Sequence, residues 1–231
     1  MTFFKIWYAR QTSGATTYAG GQWVNWPTDK SAFCPICNNP KPEAQPSEYH
    51  IELNYLGRKG FIEVLWNSHA LPIFRSDVID LWRSNGFTGF DTRPVKFVGW
   101  RGKKRPLPKN IPRYNRLLVT GRAILLSPPT KKICPVCGFR QYDFNQRVGI
   151  RVDETSWDRS DIFSPQGYEF VLCTTRVVEV TLQAGYKHIT FVRSELWDTW
   201  EEFDVSKWDI KEWRKMFDTY FIRRVEDLDQ T

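Results

Sequence analysis

Hydrophobic and polar positions alternate along several short stretches of the chain, a pattern typical of β-strands. The clearest stretch is 49–55, where Tyr49, Ile51, Leu53 and Tyr55 occupy every second place. Further strands are predicted at residues 2–9, 61–66, 93–98, 116–126, 147–152 and 188–192. The stretch 61–66 is predicted to pair with 49–55 through a turn at 57–60. The Gly-, Thr- and Trp-rich residues 11–33 are predicted to form a loop.

Two twelve-residue segments, 76–87 and 175–186, share the pattern of a short amphipathic helix. Each begins with a hydroxyl side chain, Ser76 or Thr175, and has two β-branched residues at its third and fourth places and an acid at its fifth. The hydroxyls are predicted to be N-caps, and the glycine near each end is predicted to stop the helix. A predicted strand follows each segment. The sequence therefore predicts two similar strand–helix–strand modules, although any short capped helix shows part of this pattern.

A third helical pattern lies near the C-terminus, over residues 207–226. Ser206 and Asp209 have the spacing of a capping box. Apolar residues then recur every three or four positions, at Ile210, Trp213, Phe217, Tyr220, Phe221 and Val225. This apolar stripe is predicted to dock back onto the body of the protein; the alternative is a face that binds a partner or a second copy.

Together these elements predict an α+β fold. We expect a mixed or antiparallel sheet, two short capped helices in similar strand–helix–strand modules, and a C-terminal helix. The chain has 231 residues, enough for one large domain or two small ones. The predicted division is a main domain over 1–193 and an acidic, aromatic extension over 194–231.

Charge separates the same two regions. The chain has 33 basic and 26 acidic residues, a net charge of +7. Residues 194–231 contain eleven acids and six bases, a net −5, which leaves +12 for residues 1–193. A basic body favours an acidic partner or a nucleic acid. The start of the chain lacks the layout of a signal peptide, and no apolar run approaches the ~18 residues that span a bilayer, so a cytoplasmic protein is expected.

The densest basic stretch is 101–116, which holds seven basic residues and no acid. Its prolines and Gly102 predict a loop. Its most concentrated part is formed by Arg101, Lys103, Lys104 and Arg105. The functional interpretation is a patch for nucleic acid or an acidic protein, and the structural one is a solvated loop.

Four of the five cysteines form two near-copies of one motif, Cys34-Pro35-Ile36-Cys37 and Cys134-Pro135-Val136-Cys137. Two thiols on such a turn face the same ion, and the residue after the pair needs a left-handed backbone, which Gly138 supplies and Asn38 tolerates. Four thiolates suit a structural zinc site, so a zinc-ribbon-like pair of knuckles is predicted. Redox-active dithiols or four unrelated thiols are the alternatives. Cys173 lies in an apolar run and is predicted to be a buried core residue.

A run of polar and aromatic residues, Trp157 to Phe163, follows the second pair. Trp157 is predicted to enter the core. Asp158, Ser160 and Asp161 are short polar side chains suited to fixing the backbone of a turn. Acid–base catalysis by the two aspartates is the alternative, but no histidine or nucleophile lies nearby in the sequence. The three histidines are predicted to be structural.

The two C-P-x-C pairs about one hundred residues apart, the Trp-Asp-x-Ser-Asp-Ile-Phe run and the second capped helix together resemble the double-CXXCG motif immunity proteins of bacterial polymorphic toxin systems. The resemblance covers residues 1–193. Three features depart from the family pattern: Asn38 and Arg159 stand where the family has glycine, and the extension beyond Arg193 is not part of it.

The resemblance implies a cytoplasmic, non-catalytic protein that binds a cognate toxin domain and blocks it by occlusion. Two surfaces of opposite charge are candidates for this contact: the loop at Arg101, Lys103, Lys104 and Arg105, and the tail tryptophans Trp197, Trp200, Trp208 and Trp213. The first alternative is a zinc-ribbon protein that binds nucleic acid through its basic body and the 101–116 loop. A zinc or thiol enzyme is the second.

Overall fold

The fold combines fourteen strands and two α-helices within the residues that the computed structural model describes, which are 1–8, 20–41, 44–57, 60–67, 73–143, 149–165, 171–196 and 222–228. The strands are β1 Phe3–Tyr8, β2 Gly20–Trp23, β3 Tyr49–Tyr55, β4 Val64–Asn67, β5 Ile73–Arg75, β6 Phe90–Trp100, β7 Tyr114–Val119, β8 Gly121–Ser127, β9 Thr130–Ile133, β10 Arg140–Tyr142, β11 Arg151–Asp153, β12 Ile162–Pro165, β13 Leu172–Thr174 and β14 Ile189–Arg193. The helices are α1 Ser76–Ser84 and α2 Thr175–Gln183. The predicted α+β class is confirmed.

The strands form two curled sheets and one small hairpin. An open sheet has the order β11-β8-β12-β13-β1-β14, and a second sheet closes on itself in the order β2-β3-β6-β7-β5-β4. The hairpin is β9-β10. Most neighbours are antiparallel, but β12–β8, β2–β4 and β3–β6 are parallel, so both large sheets are mixed.

The two predicted strand–helix–strand modules are present and share one topology. In the first, β5 and β6 flank β7 and run antiparallel to it. In the second, β13 and β14 flank β1 in the same way. The middle strand of the first module follows β6 directly, whereas that of the second comes from the start of the chain. The similarity of the two helical segments thus extends to the strands around them.

The two helices pack in a shared core at equivalent positions. Trp82 and Thr181 each occupy the seventh place of their segment, and both are fully buried. The indole Nε1 of Trp82 donates a 2.8 Å hydrogen bond to Oγ1 of Thr181. Apolar residues of α1, α2, β1 and β14 surround this contact. Burial of these faces, rather than helix propensity, therefore stabilises two helices of only nine residues each.

The predicted ends of the helices are half correct. Gly86 and Gly185 follow the helices with φ of +68° and +77°, which confirms them as the stopping residues. The predicted N-caps are wrong, because Ser76 and Thr175 are the first helical residues and Arg75 and Thr174 precede them as caps. Neither cap makes a side-chain hydrogen bond to its helix.

Three strand predictions and one loop prediction are corrected by the structure. The strand at 61–66 does not pair with 49–55: β4 lies beside β2 and β5, and β3 lies between β2 and β6. The predicted loop 11–33 contains β2. The predicted strand 116–126 is two strands, because the chain passes from one sheet to the other between β7 and β8. The strand predicted at 147–152 begins only at Arg151 in the part that is described.

The described end of the C-terminal extension lies against the body. Ile222 is buried and pairs with Phe191 of β14, and a 3-10 turn follows at Val225–Leu228. The predicted helix therefore does not continue to residue 226, while its part at 207–221 lies outside the described residues. Arg193 Nη2 donates a 3.0 Å hydrogen bond to the carbonyl of Leu228. None of the described helices is long and apolar enough to cross a membrane.

A mostly buried acid joins the two large sheets. Glu63, just before β4, is hydrogen-bonded through Oε2 to Nδ1 of His188, just before β14. Burial raises the pKa of Glu63. The hydrogen bond with His188 and the charges of His188 and Arg75 lower the pKa by more than burial raises it, so the pKa lies below the usual value. Folding is therefore coupled to ionisation of this carboxyl group.

Replacing Glu63 with glutamine is expected to lower the free energy of unfolding by about 1–2 kcal/mol at pH 7. A carboxyl group whose pKa is depressed by folding stabilises the fold above its unfolded pKa of about 4.3, and that contribution is lost as the pH falls through the folded value. The difference between Glu63→Gln and the wild type should therefore shrink from pH 7 to pH 3.5 in urea unfolding. A difference that stays constant with pH would show that the charge of Glu63 is not involved.

Candidate metal centre

The two cysteine pairs lie on hairpins of the same construction. In the first, the Cys34 amide donates to the Asn39 carbonyl at 2.8 Å, and the Asn38 amide donates to the Cys34 carbonyl at 2.9 Å. In the second, Cys134 bonds to Phe139 at 2.8 Å and Gly138 to Cys134 at 3.0 Å. The flanking pairs correspond as well, since Phe33 is bridged to Pro40 and Ile133 to Arg140. The near-identity of the two motifs therefore extends to their hydrogen bonds.

The residue after each pair has the predicted left-handed backbone. The φ angle is +56° at Asn38 and +71° at Gly138. Glycine adopts this conformation without strain, and asparagine is among the few other residues that tolerate it. Asn38 can thus stand at a position where the resembled family has glycine.

The two hairpins bring all four sulfur atoms together. Cys34 Sγ lies 3.7 Å from Cys134 Sγ, Cys37 Sγ lies 3.4 Å from Cys137 Sγ, and all four sulfurs lie within 4.8 Å of one another. In a tetrahedral four-thiolate zinc site, metal–sulfur bonds of about 2.3 Å place the sulfurs roughly 3.8 Å apart. The cluster fits a metal ion after a small contraction, and the predicted meeting of the two pairs is confirmed.

The distances do not fit disulfides. A disulfide holds its sulfurs about 2.05 Å apart, and all five cysteines are free. Cys173 is fully buried in the core, as predicted, and it is not part of the cluster. Its burial raises the pKa of its thiol well above the usual value. Cys173 is therefore a core residue, and the unrelated-thiol alternative does not apply to the other four.

The hairpins favour the thiolate form of the two buried cysteines, Cys34 and Cys134. Backbone N–H groups of Cys37 and Ile36 lower the pKa of Cys34 to about 6, and those of Cys137 and Val136 contribute to lowering the pKa of Cys134. Desolvation, together with the neighbouring sulfurs, raises the pKa of Cys37 to about 12. Four thiolates so close together repel one another, and a divalent cation among them relieves that repulsion.

The cluster has a buried side and an exposed side. Cys34 and Cys134 are each 4% exposed, whereas Cys37 is half-buried and Cys137 is exposed. The inner sulfurs anchor the cluster to the body, and the outer sulfurs lie at the surface. An ion with four sulfur ligands would have no position left for a substrate, which is the property of a structural site.

The Trp-Asp run fixes its own turn through short-range hydrogen bonds. Trp157 enters the core, and its indole Nε1 donates to the carbonyl of Ser160 at 3.0 Å. Asp158 accepts from the amides of Arg122 at 2.8 Å and Ser160 at 3.0 Å. The carboxylate is thus used to hold the start of β8 against the run.

The second aspartate of the run links the two modules. Asp161 Oδ2 accepts from the amide of Thr88, which follows α1, at 3.0 Å. Asp161 Oδ1 lies 3.3 Å from Nη1 of Arg176 on α2. Both aspartates thus accept hydrogen bonds from main-chain amides, as residues that fix a turn do.

Two glycines, which no sequence pattern marked, allow the Trp-Asp run to approach the neighbouring backbone closely. A Cβ on Gly89 would lie 2.0 Å from the carbonyl oxygen of Ile162, and a Cβ on Gly121 would lie 2.4 Å from the same atom. Ser160 is the next neighbour of both. Gly121 lies within the predicted strand 116–126, and Gly89 lies shortly before the predicted strand 93–98. The segment that approaches them is remote in sequence, so no local signal identifies them.

Arg159 has a left-handed backbone, with φ of +69°, and it stands where the resembled family has glycine. Its guanidinium lies over the ring of Trp157, 5.2 Å from the centroid. We expect Arg159→Gly to be more stable than Arg159→Ala by about 1 kcal/mol, because both lose the guanidinium but only glycine removes the backbone strain. Equal free energies of unfolding for the two variants in urea would contradict this.

The predicted basic loop 101–116 is a loop only as far as residue 113, because Tyr114 begins β7, where Arg116 is buried. The most basic part of the loop is presented to solvent. Arg101, Lys103, Lys104 and Arg105 are all exposed. Its base is fixed by Trp100, which is buried, donates from Nε1 to the carbonyl of Pro106 at 3.0 Å, and carries the guanidinium of Arg105 3.4 Å from its ring centroid. The other predicted partner-binding residues, Trp197, Trp200, Trp208 and Trp213, lie outside the described residues.

The two histidines in the described part of the chain are not brought to the cysteines. His50 lies in β3 and is hydrogen-bonded to Glu48, and His188 is paired with Glu63. His69 lies outside the described residues. In the described part of the chain, the group of cysteine, histidine and acidic side chains placed to hold a metal is the four-cysteine cluster.

Comparison with known proteins identifies no family for this chain. No protein-family model matches the chain, and no curated protein matches it.

Proposed function

We propose that this chain is an immunity protein, which binds a cognate toxin domain in the cytoplasm and neutralises it by occlusion. The observation that carries the proposal is the meeting of two C-P-x-C hairpins in one cluster, within a fold whose two modules are joined by the Trp157–Phe163 run. These are the motifs on which the resemblance to the double-CXXCG motif immunity proteins depends. The cysteine hairpins and the Trp157–Phe163 run both stabilise the fold. This supports the proposal that the protein acts by binding a partner through its surface.

The chemistry of the described residues supports binding rather than turnover. The four thiols face one another, and Asp158 and Asp161 accept hydrogen bonds from backbone amides. A general acid or base needs a carboxyl group within reach of a substrate proton, and these two are occupied with the main chain. The chain is accordingly proposed to act without catalysis.

Zinc is the metal that we propose for the four-cysteine cluster. Thiolate-only ligand sets suit zinc or iron, and two hairpins with a closed tetrahedral set of sulfurs are typical of structural zinc. Cys34, Cys37, Cys134 and Cys137 would hold the ion. Its chemistry would be structural, because it would tie two segments one hundred residues apart and add its binding free energy to folding.

The test is protection from a toxin. Each domain of the protein that co-purifies in fixed stoichiometry with the tagged chain from its native cells is expressed in bacteria with and without the chain. Growth should stop with the toxin domain alone and be restored by co-expression. An inactive form of the same toxin domain should then form a complex of fixed stoichiometry with the purified chain. Absence of both protection and a complex would contradict the proposal.

A second function is favoured by one observation, the exposed basic loop at Arg101–Arg105. Cations that contact several phosphates would bind nucleic acid with an affinity that falls steeply between 50 and 200 mM salt, by about 10³-fold or more for six contacts. Measurement of binding to duplex and single-stranded oligonucleotides over this salt range distinguishes the two functions. Steeply salt-dependent binding without toxin protection would favour nucleic-acid binding.

A further inference from the structure

Exposed aliphatic side chains stand at the same place on both cysteine hairpins. Ile36 is 58% exposed and Val136 is 61% exposed. Each immediately precedes a cysteine of the outer pair, Cys37 or Cys137, whose sulfurs lie 3.4 Å apart. Ile133, on the strand that leads into the second hairpin, is 47% exposed. Three of the large hydrophobic residues at the described surface are therefore found on these two hairpins.

The same hairpins are basic throughout. Residues 30–41 and 130–142 contain no acid and five basic residues, which are Lys30, Lys41, Lys131, Lys132 and Arg140. Lys131 and Lys132 are exposed on β9, whose sheet neighbour among the described strands is β10. Asp29 and Asp143 flank the two hairpins, and four thiolates with one zinc ion carry a formal charge of −2. The positive charge is therefore concentrated at the exposed lysines of β9, which attract an acidic surface and repel a basic one.

We infer that the knuckle face docks an acidic protein surface that contains an apolar pocket. This face is formed by Ile36 and Val136 on the two turns and by Lys131 and Ile133, which share one side of β9, with Lys132 on the other side of the same strand. The aliphatic side chains are the anchors, and the lysines form a charged rim that steers the partner into place. The inference rests on the proposed function, and names the surface with which the chain contacts its toxin.

Other occupants fit this face less well. A second copy of the chain would bring the same basic residues together, which costs free energy. Single-stranded nucleic acid is held by aromatic side chains that stack on its bases, and the exposed apolar residues here are aliphatic. An acidic protein surface satisfies both the charge and the apolar side chains.

The basic loop at 101–105 is the rival surface. It has the charge but lacks an exposed apolar anchor, because Trp100 is buried and covered by Arg105. Interfaces derive most of their affinity from a few anchors that become fully desolvated. The knuckle face combines charge with such anchors and is therefore preferred.

The experiment uses isothermal titration calorimetry to measure binding of an inactive form of the toxin domain that the protection test identifies. The double variants Ile36→Ser/Val136→Ser and Lys131→Glu/Lys132→Glu are expected to weaken binding by about 30-fold or more. Leu126→Ser, which removes an aliphatic side chain of equal exposure (60%) on β8, is the matched control and should stay within about threefold of the wild type. Metal content and melting temperature of each variant verify that it is folded.

Each outcome decides the inference. Selective loss in the two knuckle variants supports it. If the two knuckle variants bind the toxin domain with wild-type affinity and Lys103→Glu/Lys104→Glu does not bind it, the inference is overturned and the proposed function stays intact. If the wild type does not bind the toxin domain, the proposed function fails and the inference with it. A change from dimer to monomer in Ile36→Ser/Val136→Ser, seen by sedimentation, would assign the face to a second copy instead.

Discussion

The Cys134→Ser variant is expected to lose its metal and to melt about 10 °C or more below the wild type. Cys134 is buried, and its sulfur lies 3.7 Å from that of Cys34 across a separation of one hundred residues. A site that is saturated at a thousand times its dissociation constant contributes about 4 kcal/mol to stability. In a chain of this size, each kcal/mol corresponds to about 2–4 °C in melting temperature.

Two measurements check this result. Elemental analysis should give one equivalent of zinc for the wild type and none for Cys134→Ser, and scanning calorimetry should give the change in melting temperature. Treatment of the wild type with a strong chelator should reproduce the behaviour of the variant. Cys173→Ala is the matched control, because Cys173 is a buried cysteine outside the cluster and its loss should leave the metal content unchanged. Full metal content in Cys134→Ser would refute a four-sulfur site.

The Gly121→Ala variant is expected to be destabilised by about 3 kcal/mol. Its Cβ would lie 2.4 Å from the carbonyl oxygen of Ile162 and 2.7 Å from Cβ of Ser160. The first of these is a backbone atom of β12, which pairs with β8 and β13, so it cannot move aside as a flexible side chain would. The substitution must therefore separate the Trp-Asp run from the start of β8.

Gly99→Ala is the matched control for this steric effect. Gly99 also lies in a strand, β6, and a Cβ at this position would have no heavy atom within 4 Å. Its free energy of unfolding in urea should stay within about 0.5 kcal/mol of the wild type or rise slightly. Similar destabilisation of both variants would mean that Gly121 is needed for a reason other than its contact with the run.

The parts of the fold that sequence could predict are those that depend on local patterns. Strand β3 was predicted with its observed bounds, because its apolar residues alternate on one buried face. The stops at Gly86 and Gly185 follow from the left-handed backbone that ends a helix. The cysteine cluster was predictable because each hairpin motif supplies two thiols, and a four-thiolate metal site requires both pairs in one place.

The errors concern pairing between remote segments. Strand β2 is short and Gly-rich, so no periodicity marks it, and it is formed by its neighbours β3 and β4. The pairing of 61–66 with 49–55 was wrong because a turn signal does not determine which strands become neighbours. The change of sheet at Gly121 depends on a contact with Ile162, and the run from Arg116 to Leu126 contains no sign of it.

The order of synthesis has a consequence for the strand that completes the second module. β1 leaves the ribosome long before its partners, β13 and β14, which begin at Leu172 and Ile189. At a synthesis rate of roughly 5–20 residues per second, these partners follow on the order of ten seconds or more later, and β1 stays unpaired for that time. The closed sheet ends at Val119 and has all its strands available much earlier. A nascent chain would therefore form its closed sheet before the open one, and β1 would be an exposed, aggregation-prone edge until β13 and β14 have been synthesised.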